Sequence, residues 1–231
     1  TDMEIFIYED DVDIRFIDAS TSLDQFDAVI IPGTKSTIGD LEYLAEIGMA
    51  AKLKEYQGYV FGICGGYQIL GTTLIDDEGI DFKPGYRKNG LNLLPLATHF
   101  QKDKRVILAH ATGLHPFVAG MEVDGYEIHL GRTEIIGESA SYLWSIDGKK
   151  DGAATADMRV AGSYLHNIFH NDHFRTAWLN MIRETKGLPL RPVLDTAAYK
   201  ETQYEKLAEE ASKYLDLDYI VTLVESGSME K

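Results

Sequence analysis

The sequence has 231 residues, a formal net charge of −15 at pH 7, 45% hydrophobic residues and 26% charged residues. This composition is typical of a globular protein with its own core, and the acidic charge disfavours nucleic acid and anionic membranes as partners. No apolar run is long enough to cross a bilayer and the first residues show no secretion signal, so we expect a cytoplasmic location and no membrane partner.

The first part of the chain predicts strands that alternate with helices. Apolar runs predict a short strand at residues 14–17, a buried strand at 27–32 and a second buried strand at 59–64. A helical spacing covers residues 37–56, although Gly48 interrupts it, and the segment GGYQILG begins a further helix directly after Cys64. This order of elements is typical of a parallel sheet with helices on its faces.

Beyond Gly90 the pattern changes to short β-like pieces, which could extend the sheet or add an antiparallel layer. These pieces are ATHF, RVILAHA, GYEIHLGRTEI, ASYLWSI and RVAGSYLH. A helix is predicted from Asp172 onward, and the segment TAAYKETQYEKLAEEASKYLDLDYIVTLVE near the C-terminus predicts one or two amphipathic helices.

Cys64 is the only cysteine, which excludes an internal disulfide and any multi-cysteine zinc site. It lies in GICGG, between a predicted strand and a predicted helix, and so matches the G-x-nucleophile-x-G turn of hydrolases. We expect the helix N-terminus to lower the pKa of the thiol and the backbone N–H of Gly65 to stabilise an oxyanion. The alternative is a buried structural cysteine beside a flexible glycine pair.

A cysteine nucleophile needs a base, normally a histidine that is distant in sequence. Of the seven histidines, His166 ends the strand-like AGSYLH and could project over the edge of the sheet. His129 is the second candidate, and it shares one face of a predicted strand with Glu127. His170 and His173 follow His166 at a spacing that could bind a metal ion, but no acidic or thiol ligand accompanies them, so we expect no metal site.

Four motifs in order, PGTKSTIGDL, GICGGYQILG, GYEIH and SYLHNIF, closely resemble the glutaminase domain of the cobyric acid synthase family. That family is the cobalamin-pathway branch of the class I glutamine amidotransferases, and the resemblance runs from about residue 1 to about residue 185. It implies an α/β, flavodoxin-like fold with a central, mostly parallel sheet, helices on both faces, extra β-strands and C-terminal helices. We therefore expect a glutaminase domain at residues 1–190 and a helical extension at 191–231.

The resemblance also implies the reaction and the residues that carry it. Cys64 would attack the carboxamide of glutamine, giving a glutamyl thioester and ammonia, and His166 would relay protons in both half-reactions. The backbone N–H groups of Gly33 and Gly65 would form the oxyanion hole.

Substrate binding and the orientation of the base are further expectations from the resemblance. Gln68 and Tyr67 would help to hold the substrate glutamine. Many class I amidotransferases carry a glutamate two residues after the histidine, where this sequence has Ile168. The group that orients His166 is therefore open, and the spacing permits Glu127 or His129 to serve.

In the family, an N-terminal synthetase domain uses ATP and Mg to activate corrin-ring carboxylates, which ammonia then amidates. The reaction converts adenosylcobyrinic acid a,c-diamide to adenosylcobyric acid. Nothing in these residues resembles the synthetase domain. We therefore expect this chain to carry the glutaminase part alone, with no cofactor of its own, and to have glutamine, the synthetase domain and a corrinoid acceptor as its partners.

Three alternatives remain at this point. The first is a sibling amidotransferase, such as cobyrinic acid a,c-diamide synthase or the glutaminase subunit that acts on lipid II. The second is a cysteine peptidase or γ-glutamyl hydrolase of the same fold, and the third is a non-catalytic binding domain that keeps the turn as a scaffold. The pairing of GYEIH with SYLHNIF favours the cobyric acid synthase family, and the presence of both Cys64 and His166 argues against the third alternative.

Overall fold

The computed structural model describes residues 2–102 and 105–226. The chain divides into two compact units, one up to Arg191 and one from Pro192 onward. The first unit holds all the strands of the described residues and the four helices up to Thr185. The second unit holds two further helices.

The helices and strands follow one another in a mixed order. The helices are α1 (Thr37–Glu46), α2 (Met49–Glu55), α3 (Gly65–Ile69), α4 (Asp172–Thr185), α5 (Thr196–Ser212) and α6 (Leu217–Ser226). The strands are β1 (Ala28–Ile31), β2 (Tyr59–Ile63), β3 (Thr73–Asp76), β4 (Tyr86–Asn89), β5 (Leu96–His99), β6 (Arg105–Gly113), β7 (Glu122–His129), β8 (Arg132–Ile135), β9 (Trp144–Ile146), β10 (Lys149–Asp151), β11 (Ala153–Ala154), β12 (Val160–Ser163) and β13 (Leu165–His166). Short 3₁₀ helices lie at Glu4–Tyr8, Leu23–Gln25, Pro116–Val118 and Ile168–His170.

The first sheet has the order β1-β2-β12-β11, and its first three strands are parallel. Adjacent residues of β2 face opposite sides, because side chains alternate along a strand. Phe61 packs with Phe174 and Trp178 of α4 on one face. Val60 packs on the other face in a second buried cluster, which also contains Leu41 of α1. A parallel sheet covered on both faces by helices confirms the predicted α/β class.

The β-like pieces predicted beyond Gly90 are strands, and most of them form two further sheets. One sheet is antiparallel throughout and has the order β10-β9-β6-β7-β13. The other has the order β4-β3-β5-β8. Strand β12 instead joins the parallel sheet, and β13 pairs with β7 so that His166 lies opposite Tyr126. Both arrangements that the sequence left open therefore occur.

Two local predictions need correction. Residues 14–17 form no strand, and Phe16 is 94% exposed. They line a cleft of about 690 Å³ together with residues of β1, and no described strand pairs with them. The helix predicted at 37–56 is two helices, because Gly48 has the left-handed φ of 78° and ends the first of them.

Buried ion pairs attach the N-terminal segment to α4. Arg175 is fully buried and donates to Glu9 at 2.9 Å, and Arg183 donates to Glu9 at 3.2 Å and to Asp11 at 2.8 Å. Phe6 adds apolar contact, with its ring centroid 5.0 Å from that of Phe169. The path of residues 2–11 is therefore fixed by both charge and packing.

We expect Arg175→Ala to lower the free energy of unfolding by about 3–5 kcal/mol, because it leaves the buried carboxylate of Glu9 with a weaker set of partners. The matched control is Arg191→Ala, whose ion pairs with Asp10 and Asp11 involve a side chain that is 40% exposed. That variant should lose no more than about 1 kcal/mol. Urea unfolding of both variants measures the difference, and equal losses would contradict the structural role given to Arg175.

Candidate active site

Cys64 occupies the sharp turn between β2 and α3. Its φ of 53° and ψ of −111° lie outside the common regions for an L-residue, and such strain persists only where the surroundings enforce it. A Cβ on Gly62 would lie 2.6 Å from the backbone nitrogen of Tyr67, and one on Gly66 would lie 2.0 Å from the carbonyl oxygen of Ile31. The predicted strand-to-helix turn is present, and these two glycines are required by close backbone contact.

The imidazole of His166, at the end of β13, lies close enough to the Cys64 thiol to interact with it. Sγ also lies 3.1 Å from the carbonyl oxygen of Ile128, at the end of β7. Gly33 lies next to both residues, since a Cβ built on it would lie 2.8 Å from Cε1 of His166 and 3.5 Å from Cβ of Cys64. The two residues predicted as nucleophile and base are therefore in contact, beside the glycine that follows β1.

Gly65, the second residue predicted for the oxyanion hole, borders the same loop. A Cβ on Gly65 would lie 2.4 Å from Cγ2 of Thr34 and 3.1 Å from its backbone nitrogen. Gly33 and Gly65 thus lie beside Cys64 on two different turns. Their role as hydrogen-bond donors to an oxyanion stays a prediction.

The second nitrogen of His166 is held by a residue that sequence reasoning missed. Nδ1 lies 2.8 Å from Oδ2 of Asp2, and the backbone N–H of Asn167 donates to Oδ1 of the same carboxylate at 2.7 Å. The Asp2 hydrogen bond, together with the interaction with Cys64, raises the pKa of His166 to about 10. Burial raises the pKa of Asp2, but the bonds from His166 and Asn167 outweigh it and hold the pKa below its usual value.

Glu127 and His129, the two residues expected to orient His166, bond each other, and the carboxylate that bonds Nδ1 of His166 is that of Asp2. Oε1 of Glu127 bonds Nε2 of His129 at 2.7 Å, and Nδ1 of His129 lies 2.9 Å from the carbonyl oxygen of Gly131. The His129 ring also stacks on Tyr164 with a centroid distance of 3.6 Å. With both ring nitrogens engaged in this way, the structure also gives no support to His129 as the base.

The two residues predicted to bind substrate are buried. Gln68 accepts a hydrogen bond from Thr37 at 2.9 Å and donates to the carbonyl of Leu130 at 3.2 Å and to the hydroxyl of Tyr164 at 3.0 Å. Tyr67 is 1% exposed, and its ring lies edge-on to that of Tyr164. Burial raises the pKa of Tyr67 well above its usual value. A contact with substrate stays a prediction for both residues. The burial of the Tyr67 side chain does not support such a contact for that residue.

Within residues 2–102 and 105–226, no group of three or more His, Cys, Asp or Glu side chains could hold a metal ion. His170 lies in a 3₁₀ helix and His173 is exposed at the start of α4. Across the same residues no helix is long and apolar enough to span a bilayer. The absence of a metal in the reaction stays a prediction.

The raised pKa of His166 predicts a pH-dependent contribution to stability. A group whose pKa rises on folding stabilises the folded protein fully at any pH below the pKa it has in the unfolded chain. For His166 that unfolded pKa is 6.5, and the stabilisation disappears as the pH rises through the folded pKa of about 10. We expect His166→Asn to lower the free energy of unfolding near neutral pH and to cost progressively less toward that upper value. Urea unfolding across this range measures it, with His173→Asn as the exposed control. A penalty for His166→Asn that does not change with pH would contradict the assignment.

Comparisons with known proteins agree with this geometry. The sequence profile of the CobB/CobQ-like glutamine amidotransferase domain matches residues 1–174. The chain is 36% identical to cobyric acid synthase of Geobacillus sp. (strain WCH70), over 95% of this chain and 44% of that protein. It is 37% identical to cobyric acid synthase of Moorella thermoacetica, over 97% of this chain and 46% of that protein. The chain thus spans less than half the length of these relatives.

The fold is also found among solved structures. A crystal structure of a glutamine amidotransferase superposes with a TM-score of 0.50 at 17% identity, covering 72% of this chain and 82% of that chain. At this identity the likeness shows the fold, which is the predicted flavodoxin-like arrangement of the class I enzymes. The profile match over most of the first unit shows the family. The chain belongs to the CobB/CobQ-like glutamine amidotransferase domain family.

Proposed function

We propose that this chain hydrolyses glutamine to glutamate and ammonia, with Cys64 as nucleophile and His166 as general base and acid. The observation that carries the proposal is the contact between the Cys64 thiol, held on a strained turn, and the imidazole of His166. A nucleophile on a glycine-flanked strand-to-helix turn, beside a histidine from a distant segment, is the arrangement that acyl transfer requires.

In the first half-reaction, His166 takes the proton of the thiol and Sγ of Cys64 forms a bond to the carboxamide carbon of glutamine. The C–N bond then breaks, and the imidazolium gives its proton to the departing nitrogen, which leaves as ammonia. In the second half-reaction, water attacks the glutamyl thioester while His166 takes its proton. The C–S bond breaks, glutamate leaves, and the enzyme returns to its starting state.

The negative charge that forms on the carboxamide oxygen needs hydrogen-bond donors in place before the reaction. We assign this role to the backbone N–H groups of Gly33 and Gly65, since both residues lie against the Cys64 turn. Gln68 lies one helical turn beyond Cys64 and joins α1, α3 and the Tyr164 hydroxyl through its amide. Through these bonds Gln68 holds together the elements that surround the proposed glutamine site.

The use of the ammonia is proposed from the relatives. We propose that ammonia from this domain amidates corrin-ring carboxylates, in the conversion of adenosylcobyrinic acid a,c-diamide to adenosylcobyric acid, and the name of the relatives, cobyric acid synthase, supports this. Activation of an acid for amidation requires ATP and Mg, and we assign it to the part of the longer relatives that this chain does not match. The described chain alone should therefore release ammonia without amidating a corrinoid.

The test is covalent labelling by 6-diazo-5-oxo-norleucine, a reactive analogue of glutamine, followed by intact-mass measurement. The wild-type chain should gain one adduct, Cys64→Ala should gain none, and His173→Asn should be labelled like the wild type. Iodoacetamide labelling of the wild type serves as a probe of the thiol alone. A thiol that reacts with iodoacetamide but not with the glutamine analogue would contradict the substrate assignment.

A further inference from the structure

We propose that Asp2 is the positioning residue of the reactive pair, in the place that a glutamate two residues after the histidine takes in many class I enzymes. The proposal rests on the proposed glutaminase function, because it assigns Asp2 a role in that same reaction. In this role the Asp2 carboxylate keeps the His166 ring in the orientation that it needs to act on Cys64.

The carboxylate of Asp2 holds both the side chain and the backbone of the histidine region. Oδ2 accepts from Nδ1 of His166 at 2.8 Å, and Oδ1 accepts from the backbone N–H of Asn167 at 2.7 Å. Asn167 has the left-handed φ of 63°, so the chain turns at this residue. One carboxylate therefore fixes the ring and the turn that follows it. The Asp2 side chain is only 14% exposed, so water competes weakly for these bonds.

A hydrogen bond at Nδ1 determines what the other ring nitrogen can do. When Nδ1–H donates to a carboxylate, the neutral ring has Nε2 free as an acceptor, which is the tautomer that can take a proton from a thiol. The Gly33 contact places this end of the ring at the site, since a Cβ there would lie 3.4 Å from Nε2. The carboxylate also stabilises the imidazolium that forms when the thiol loses its proton.

Other ionisable groups near His166 are engaged elsewhere or belong to the reaction. On β7, which pairs with β13, Glu127 bonds His129. On β10, Asp151 accepts from the hydroxyl of Ser163 at 2.6 Å. The Cys64 thiol, which belongs to the reaction, also acts on His166. Among the described residues, Asp2 is thus the carboxylate with the geometry to orient the ring.

The position of Asp2 is itself supported. Phe6 packs on Phe169 and Trp178, and Glu9 is buried against Arg175 and Arg183. A positioning group acts best when its own place is fixed by packing and further bonds. The buried ion pairs that attach the N-terminal segment to α4 therefore serve the reactive pair as well as stability.

The experiment compares Asp2→Asn, Asp2→Glu and the control Asp10→Asn, which makes the same chemical change at a side chain that is 91% exposed. We expect Asp2→Asn to lower kcat for glutamine hydrolysis by about 10²–10⁴-fold with a small change in KM, since an amide favours the wrong tautomer. Asp2→Glu should recover part of the loss. The limb of the pH profile that reports the protonation of His166 should move from about pH 10 toward neutrality in Asp2→Asn, because the imidazolium loses its counter-charge.

An NMR titration of the His166 ring supplies a readout that needs no turnover, and thermal unfolding checks that each variant is folded. The titration midpoint should fall in Asp2→Asn and stay in place in Asp10→Asn. A folded Asp2→Asn variant with an unchanged His166 midpoint and unchanged kcat would overturn the proposal. Labelling by 6-diazo-5-oxo-norleucine tests the glutaminase function separately from the role of Asp2. A wild type that takes no label contradicts the glutaminase function. The shift of the His166 titration midpoint then still decides whether Asp2 positions the ring.

Discussion

The site depends on direct backbone contact between the turn that carries Cys64 and the end of β1. Gly66 approaches the carbonyl of Ile31 so closely that a single added carbon would lie 2.0 Å from it. The loop at Gly33 lies next to both Cys64 and the His166 ring, since a Cβ on Gly33 would lie 3.5 Å from Cβ of Cys64 and 2.8 Å from Cε1 of His166. The parallel pairing of β1, β2 and β12 holds the three segments in register, so the reactive groups converge at one edge of the sheet.

A second set of interactions reaches the same site from the N-terminal segment. Asp2 contacts His166 across 164 positions of sequence, and its segment is attached to α4 by the ion pairs of Arg175 and Arg183. Buried ion pairs contribute little net stability by themselves, but they penalise every alternative placement of the segment. Helix α4 therefore has two roles: it covers one face of the parallel sheet, and it anchors the strand-free segment that reaches the base.

The sequence predicted the parts of this site that depend on local pattern. The apolar runs around Val60 and the glycines around Cys64 predicted a strand, a sharp turn and a helix, because each constraint acts within a few residues. The Asp2–His166 contact was not predictable, since no periodicity links residues so far apart. Residues 14–17 show the opposite failure: their pattern suits a strand, but a strand also needs a hydrogen-bonded partner, and no described strand pairs with them. Alternation correctly placed Glu127 and His129 on one face, yet they pair with each other.

In the proposed reaction, the thiol of Cys64, activated by His166, hydrolyses glutamine on this chain. Its most direct test is the release of ammonia and glutamate from glutamine by the wild-type chain and by Cys64→Ala under the same conditions. We predict equal amounts of the two products from the wild type and none above background from the variant. Equal ammonia release from both proteins, or none from a folded wild type, would contradict it.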